Sequence, residues 1–330
     1  MTSYPAVLLP DEFVRIVSRH QPDGEHLHPP QHRRVWRPDG ATWLRALPGL
    51  VEQALGRWHL EVEESLPLRW GFTALVIPVR RPEGDPGVLK VGWPHPEADV
   101  EHLVLRAWNG HGAVRLLAAE PTDTTYLLER LEAERDLRTT SVQESSEVLG
   151  QLLRTLDRPA PPWAHSLTEE WQVLADETAA AIADPTAAHR FPRRMLQHAQ
   201  ALARDTLAET GSDRRLVHTD LHHGNVLWRP DPGEWVAIDP KVVAGDPHWA
   251  VAPALWNRWE DALAAHDLGT HLLFRLDLIC EGAGLDRDRA RDMTILRLTQ
   301  KALWAIRRGG VESGDDLTTA IAVIKAMQRG

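Results

Sequence analysis

The stretch His218-Thr219-Asp220-Leu221-His222-His223-Gly224-Asn225, followed by Ile238-Asp239-Pro240-Lys241, decides how this chain is read. Leu216-Val217 before it and Val226-Leu227-Trp228 after it are short apolar strands, so residues 218–225 form the connecting loop. A carboxylate in that loop, Asp220, can orient a hydroxyl or accept its proton. Asn225 sits five residues on, and its amide oxygen is a neutral hard donor suited to Mg²⁺. Trp235-Val236-Ala237-Ile238-Asp239-Pro240 reads as a strand that delivers Asp239 to its end, where a carboxylate can bridge a metal to nucleotide phosphates. A lone His-x-Asp-x4-Asn pattern is weak, but a strand-borne Asp twenty residues later makes it specific for phosphoryl transfer.

Two other chemistries compete for these residues. Loop acids also cap turns. His218, His222 and His223 with Asp220 also form a set of zinc-ligand types, a reading that leaves Asn225 and Asp239 without roles. His218, at the start of the loop, is expected to bond backbone and fix the loop's shape rather than to move protons.

A second signal lies far upstream. Lys90, in Val88-Leu89-Lys90-Val91, is a lysine inside an apolar strand, costly unless its ammonium meets anions. Phosphates would serve, with a helical glutamate to orient the ammonium. Glu97 and Glu101 both follow, one turn apart, and Glu101 is preferred because a first-turn Glu97 already has a helix-dipole role. The alternative is an edge-strand lysine facing water. Arg69-Trp70-Gly71-Phe72-Thr73 marks a phosphate loop poorly, with one glycine. The backbone of Tyr126-Leu127-Leu128-Glu129-Arg130-Leu131 can pair with an adenine edge, and Glu129 itself fits a structural ion pair equally well.

Around these residues the texture changes once. Pro10-Asp11-Glu12 looks like a helix start, His20 to Arg37 reads as loop, and Trp43 to Trp58 is helical. Phe72–Val79 and Val88–Val91 form a hairpin across Arg80–Gly87. A helix opens at Pro94 and Pro96 and ends at Asn109-Gly110, and Ala113–Leu117 and Thr125–Leu128 are further strands. Beyond Leu131 the periodicity is helical over Ser141–Leu156, Leu167–Ile182, Arg193–Glu209, His271–Glu281, Arg287–Arg307 and Leu317–Met327. The chain is therefore expected to be α+β and bilobal. Residues 1–128 form a small β-rich nucleotide-binding lobe with a helical extension over 1–58, and residues 129–330 form a larger, mostly helical lobe.

Bulk properties exclude several classes. A chain of 330 residues with 43% hydrophobic content can bury a large core. A net charge of −10 argues against nucleic acid, whose phosphates need a basic surface. The acidic excess lies in residues 51–150 and so locates no site. One cysteine excludes internal disulfides and fits a reducing cytoplasm. Met1-Thr2-Ser3-Tyr4-Pro5 opens no signal peptide, and no apolar run reaches the ~18 residues of a membrane span, so a cytoplasmic location without membrane contact is expected. Fourteen tryptophans against two tyrosines read as core packing rather than a ligand cage.

These residues resemble the aminoglycoside phosphotransferase family, of protein-kinase-like fold, and most closely its streptomycin 6-kinase and hydroxyurea phosphotransferase branch. The similarity runs from about Trp43 to Trp304 and is carried by seven runs. These are Val88–Pro94, Gly112–Leu117, Leu127–Leu131, Asp220–Asn225, Ala237–Lys241, Gly245-Asp246-Pro247 and Asn257-Arg258. The resemblance implies Asp220 as catalytic Asp, Asn225 and Asp239 as magnesium ligands, Lys90 with Glu101 as the nucleotide lysine and its partner, and residues 129–131, Glu129 to Leu131, as the adenine-reading hinge. The pattern bends at three places: Thr219 stands where glycine is usual, His223 where proline is common, and Ala250 where an Asp is frequent.

The expected activity is ATP- and Mg²⁺-dependent transfer of phosphate to a hydroxyl of an aminoglycoside or related amino sugar. Hydroxyurea, glucosamine or another hydroxylated metabolite is the alternative acceptor, and a nucleotide-binding pseudokinase is the alternative class. A cationic or polyhydroxylated small molecule is the expected partner, with no obligate protein partner. Glu260 and Asp261 are candidate acceptor-binding acids, or a solvated face.

Overall fold

The computed structural model describes residues 9–21, 37–209, 211–309 and 312–329. Most of the segment from His20 to Arg37, expected as loop, lies outside them. The chain separates into two compact units, Met1–Glu132 and Ala133–Gly330. The division falls after Glu132 rather than after residue 128, because Glu129 still pairs with Gly87 in the first unit's sheet.

The first unit begins with α1 (Asp11–Val17) and α2 (Gly40–Arg57). The Asp39 carboxylate accepts the Thr42 amide hydrogen and so starts α2. Six strands follow: β1 (Glu61–Val62), β2 (Arg69–Trp70), β3 (Ala74–Arg80), β4 (Pro86–Gly92), β5 (Leu116–Glu120) and β6 (Thr125–Glu129). Their order is β1-β3-β4-β6-β5, with β2 on β3. The apolar stripe of α1 and α2 (Phe13, Val17, Trp43, Leu47 and Val51) packs with Leu75, Ile77, Val79, Leu89 and Val91 of the sheet and with Trp93 just after β4. Alternation along β3 and β4 thus supplies one half of a core whose other half is helical.

Two sequence expectations shift here. The helix after Lys90, α3 (Glu101–Trp108), starts later than Pro96, because Pro96–Asp99 forms a 3₁₀ turn first. It stops where expected, at Asn109 in the left-handed region with φ 47°. The strand expected over Ala113–Leu117 runs instead over Leu116–Glu120. Gly110 and Gly112, at φ 80° and 72°, keep the chain turning, and a bulge between Leu116 and Ala118 delays regular pairing.

Strand β7 (Glu132–Asp136) runs from the last residue of the first unit into the second, which continues with α4 (Val142–Leu156), α5 (Leu167–Ala183), α6 (Pro185–Arg190) and α7 (Arg193–Ala208). Then come β8 (Arg215–His218), β9 (Val226–Arg229), β10 (Glu234–Ala237) and β11 (Val242–Gly245). It closes with α8 (Ala252–Trp256), α9 (Trp259–Ala264), α10 (Leu268–Ala283), α11 (Arg287–Arg308) and α12 (Glu312–Met327). Ser141 and Ser166 cap α4 and α5 by accepting the Glu144 and Glu169 amide hydrogens. Strands β10, β9 and β7 form one small sheet, and β11 and β8 form another. The strand expected over Trp235–Pro240 ends at Ala237, since Asp239 turns into the left-handed region at φ 51°. Trp43, Trp93, Trp108, Trp171 and Trp249 are fully buried, in keeping with core packing.

Helices α4 and α10 touch backbone to backbone. A Cβ on Gly150 would stand 2.6 Å from the Ile279 carbonyl oxygen, and Gly282 lies against the Gly150 Cα. Neither contact partner is a side chain that could swing away. Gly150→Ala is therefore expected to lower stability by about 1–3 kcal/mol. Thermal unfolding would read this, and an unchanged melting temperature would refute the close-packing account.

Candidate active site

Backbone pairing builds the site in the second unit. In the β8–β11 ladder, Val242 stands opposite His218. One residue further, the Thr219 amide hydrogen goes to the Lys241 carbonyl at 2.7 Å, and the Thr219 hydroxyl donates to the same oxygen at 3.2 Å. On the other side, Val226 pairs with Ala237, and the Ile238 amide hydrogen goes to the Asn225 carbonyl at 2.9 Å. The loop 218–225 and the turn 238–241 are thus stitched together at both ends, which gathers Asp220, Asn225 and Asp239 into one place.

Within the loop, each polar group has an assigned direction. Asn225 donates an amide hydrogen from Nδ2 to the Asp220 carbonyl at 2.9 Å. That bond fixes the amide's orientation and leaves its oxygen for another partner. The Asp220 carboxylate meets Lys241 Nζ at 3.0 Å through Oδ2 and lies 3.9 Å from His222 Nε2 through Oδ1. Arg297 of α11 donates to the Thr219 carbonyl at 3.0 Å and braces the residue before Asp220.

The histidines shape this loop. His218 Nδ1 accepts the Asp220 amide hydrogen at 3.1 Å, and burial drives its pKa down to about 4, so it is neutral near pH 7. His222 Nδ1 accepts the Gly224 amide hydrogen at 3.1 Å, and burial lowers its pKa too. His223 is buried, and burial with the nearby Arg275 and Arg258 pushes its pKa down to about 2. Among the described residues no group of three or more His, Cys, Asp or Glu is arranged to hold a metal, so the zinc reading has no site there. Asn225 and Asp239 instead offer one amide and one carboxylate oxygen, a donor set that fits Mg²⁺ sharing its remaining positions with phosphate and water.

In the first unit, Lys90 lies on β4, between Val76 of β3 and Tyr126 of β6. It is on an interior strand, not an edge strand facing water. Its Nζ donates to Glu101 Oε1 at 2.7 Å, and both residues are buried. Glu101, the preferred glutamate, is thus a partner of Lys90. The Glu129 carboxylate accepts the Arg115 amide hydrogen at 2.6 Å, a structural bond, and Leu131 is half-buried just after β6.

Of the candidate acceptor-binding acids, Glu260 is exposed on α9. Asp261 is held by Arg258 Nε at 2.5 Å. Arg258 also donates to the carbonyls of Leu137 and Thr140, so Asp261 completes an internal brace.

Sequence reasoning quoted Lys241, Arg258 and Asp246 within its motifs but gave them no role, and it missed Arg297. Lys241 stood next to Asp239-Pro240, a usable signal. The partners of the others come from α11 and from the 258–261 turn, which no spacing reveals. Ala250 is buried in a 3₁₀ turn, Pro247–Ala250, and the nearby structural acid is Asp246. Asp246 accepts from His248 Nδ1 and Arg289 Nε, both at 2.5 Å, and Arg289 also grips Glu209 with two bonds of 2.7 Å.

The family model described as aminoglycoside/hydroxyurea antibiotic resistance kinase matches residues 57–309. Streptomycin 6-kinase of Streptomyces glaucescens is 39% identical over 285 residues, 84% of this chain and 89% of that protein. Hydroxyurea phosphotransferase of Kitasatospora aureofaciens is 38% identical over 279 residues, 82% of this chain and 77% of that protein. A solved thermostable mutant of the aminoglycoside phosphotransferase APH(4)-Ia, a ternary complex with ADP and hygromycin B, superposes with a TM-score of 0.58. It is 15% identical and covers 84% of this chain and 98% of that one. The chain belongs to the aminoglycoside/hydroxyurea antibiotic resistance kinase family. It has the protein-kinase-like α+β fold and is a small-molecule O-phosphotransferase. No helix among the described residues is long and apolar enough to cross a membrane.

The Asp246 cluster carries a pH prediction. Burial raises the Asp246 pKa, but bonds from His248 and Arg289 outweigh it and bring the value from 3.8 to about 2. A depressed carboxylate pKa stabilises the fold above pH ~3.8, and the gain is lost as pH falls toward ~2. Asp246→Asn is expected to cost about 2 kcal/mol at pH 7 and to flatten the acid limb between those values. Urea unfolding at pH 7 and pH 3 would check both parts.

Proposed function

We propose that the chain transfers the γ-phosphoryl group of ATP, with Mg²⁺, to a hydroxyl of an aminoglycoside of the streptomycin type or a related amino sugar. The observation that carries this reading is the stitched pair of loops holding Asp220, Asn225 and Asp239. Similarity at 39% identity to a streptomycin 6-kinase over most of the chain supports the acceptor class.

In this reading Asp220 orients the acceptor hydroxyl. The acceptor oxygen forms a bond to Pγ, the bond from Pγ to the β-γ bridging oxygen breaks, ADP leaves, and the hydroxyl proton passes to Asp220. If the transition state is loose, orientation matters more than proton abstraction. Asn225 and Asp239 would hold Mg²⁺, which would neutralise charge on the phosphate oxygens. Lys90, fixed by Glu101, supplies positive charge to the α- and β-phosphates. The backbone of residues 129–131 reads adenine. Glu260 is the exposed acid for a cationic acceptor, since Asp261 is engaged by Arg258. A cytoplasmic location accords with ATP as donor.

Hydroxyurea is the second acceptor to keep, because 38% identity to a hydroxyurea phosphotransferase is nearly the same support. A screen with Mg·ATP against streptomycin, other aminoglycosides, glucosamine and hydroxyurea, read by mass spectrometry, separates the two. Phosphorylation of an aminoglycoside is the expected result. Nucleotide binding without phosphorylation of any acceptor would favour a pseudokinase.

Asp220→Ala is expected to reduce kcat about 10²–10⁴-fold while nucleotide affinity stays near that of the unmodified protein. Full activity in this variant would sink the assignment.

A further inference from the structure

Lys241 has no part in the reading above, yet it makes the shortest ion pair to the acceptor-orienting carboxylate. Its Nζ is 3.0 Å from Asp220 Oδ2, whereas His222 Nε2 stands 3.9 Å from Oδ1, beyond hydrogen-bond range. Lys241 is thus the cation that fixes which way the carboxylate faces.

The backbone that carries the lysine is itself fixed. Its carbonyl oxygen receives two hydrogen bonds from one residue, the Thr219 amide at 2.7 Å and the Thr219 hydroxyl at 3.2 Å. Thr219 directly precedes Asp220, and its own carbonyl is held by Arg297 at 3.0 Å. Thr219 is 5% exposed, so the hydroxyl bond is shielded from water. The result is a closed circuit: Asp220 to Lys241 through side chains, Lys241 back to Thr219 through backbone and hydroxyl, and Thr219 to Asp220 through the peptide bond. Its geometry leaves one carboxylate oxygen, Oδ1, free of the lysine. Glycine at position 219 could supply the amide bond but not the hydroxyl bond.

We propose that Lys241 is a positioning residue for phosphoryl transfer: clamped by Thr219, it holds Asp220 Oδ2 so that Oδ1 meets the acceptor hydroxyl. This rests on Asp220 being the acceptor-orienting residue. A carboxylate released from the clamp can rotate about its side-chain bonds, and misplacement of a reacting group by about 1 Å can cost on the order of 10²-fold in rate.

The test is steady-state kinetics on the full-length protein with Mg·ATP and streptomycin, with hydroxyurea as a second acceptor arm. Lys241→Ala is expected to lower kcat by about 10²-fold with KM for ATP within about twofold of the unmodified enzyme. Lys241→Arg is expected to restore most of kcat, because a guanidinium can reach the same oxygen. Thr219→Val, which keeps the shape but removes the hydroxyl, is expected to lower kcat several-fold in the same direction. In an Asp220→Asn background, Lys241→Ala is expected to add little, since both act through one group. A tenfold rise in KM for ATP at unchanged kcat overturns the proposal and makes Lys241 a nucleotide ligand. Unchanged kcat with a lower melting temperature makes it a structural residue only, and additive losses in the double variant also reject it. If Asp220→Asn is itself fully active, or the unmodified enzyme phosphorylates neither acceptor, the proposed function falls and takes this inference with it. Loss of activity in Asp220→Asn but not in Lys241→Ala refutes the Lys241 role alone.

Discussion

The antiparallel closure of β8 onto β11 is the constraint on which the candidate site in the second unit depends. Four residues of ladder place His218 opposite Val242, and the next residue on each side, Thr219 and Lys241, is joined by amide and hydroxyl bonds. A second ladder, β9 with β10, closes the far end and ties Ile238 to Asn225. Neither strand pair is long enough to be stable alone. Their stability comes from burial of Leu216, Val217, Val226, Val236 and Val243 in the helical unit. A register slip of one residue would turn each strand over and separate Asp220 from Asp239, so apolar packing and the chemistry share one register.

The same economy governs the buried charges. Lys90 and Glu101 are both withdrawn from water inside the first unit, and a bond of 2.7 Å offsets part of that desolvation. A pair so placed is weak evidence for stability, since apolar residues of like size fill such positions at no greater cost. Its presence on an interior strand is better explained by a need for a fixed ammonium. Asp246 has the opposite character. It is bound by His248 and Arg289, whose second partner is Glu209, and it ties the end of β11 to α11 and to the end of α7. The one pair presents charge, and the other fastens helices.

Much of this was legible in the sequence, for reasons that differ by element. Strand alternation and helical periodicity are local, so β3, β4, β6 and the long helices of the second unit were readable. Lys90 was readable because a lysine amid Val and Leu contradicts its surroundings, and Glu101 because it lies one short connection away. Three things were hidden. The stop of β10 at Ala237 depends on Asp239 adopting φ 51°, which its composition permits but does not announce. The onset of α3 was misplaced because proline opens a 3₁₀ turn as readily as an α-helix. The bracing arginines, Arg258 and Arg297, reach carbonyls more than seventy residues away in sequence, and nothing local encodes such a partner. Asp261 shows the converse: a sequence reading sees an acid, but only the fold shows Arg258 already holding it.

His223 shows how the protein treats a departure from its family's pattern. It lies buried between His222 and Gly224 in the catalytic loop, in the field of Arg275 and Arg258. Proline, common at this place, is uncharged and needs no hydrogen-bond donor. A histidine fits the same place because burial and two neighbouring guanidiniums both disfavour its cation, bringing its pKa down to about 2. Its neutral ring therefore adds no charge beneath the loop. A permanently charged residue could not do so, and would either unpack the loop or displace Arg275 from the Asn257 carbonyl it holds at 2.7 Å. The loop's own charges thus remain those of Asp220 and Asp239, answered by Lys241. Neutrality at residues 218 and 223 keeps that balance, and this is why these two histidines shape the loop without adding charge to it.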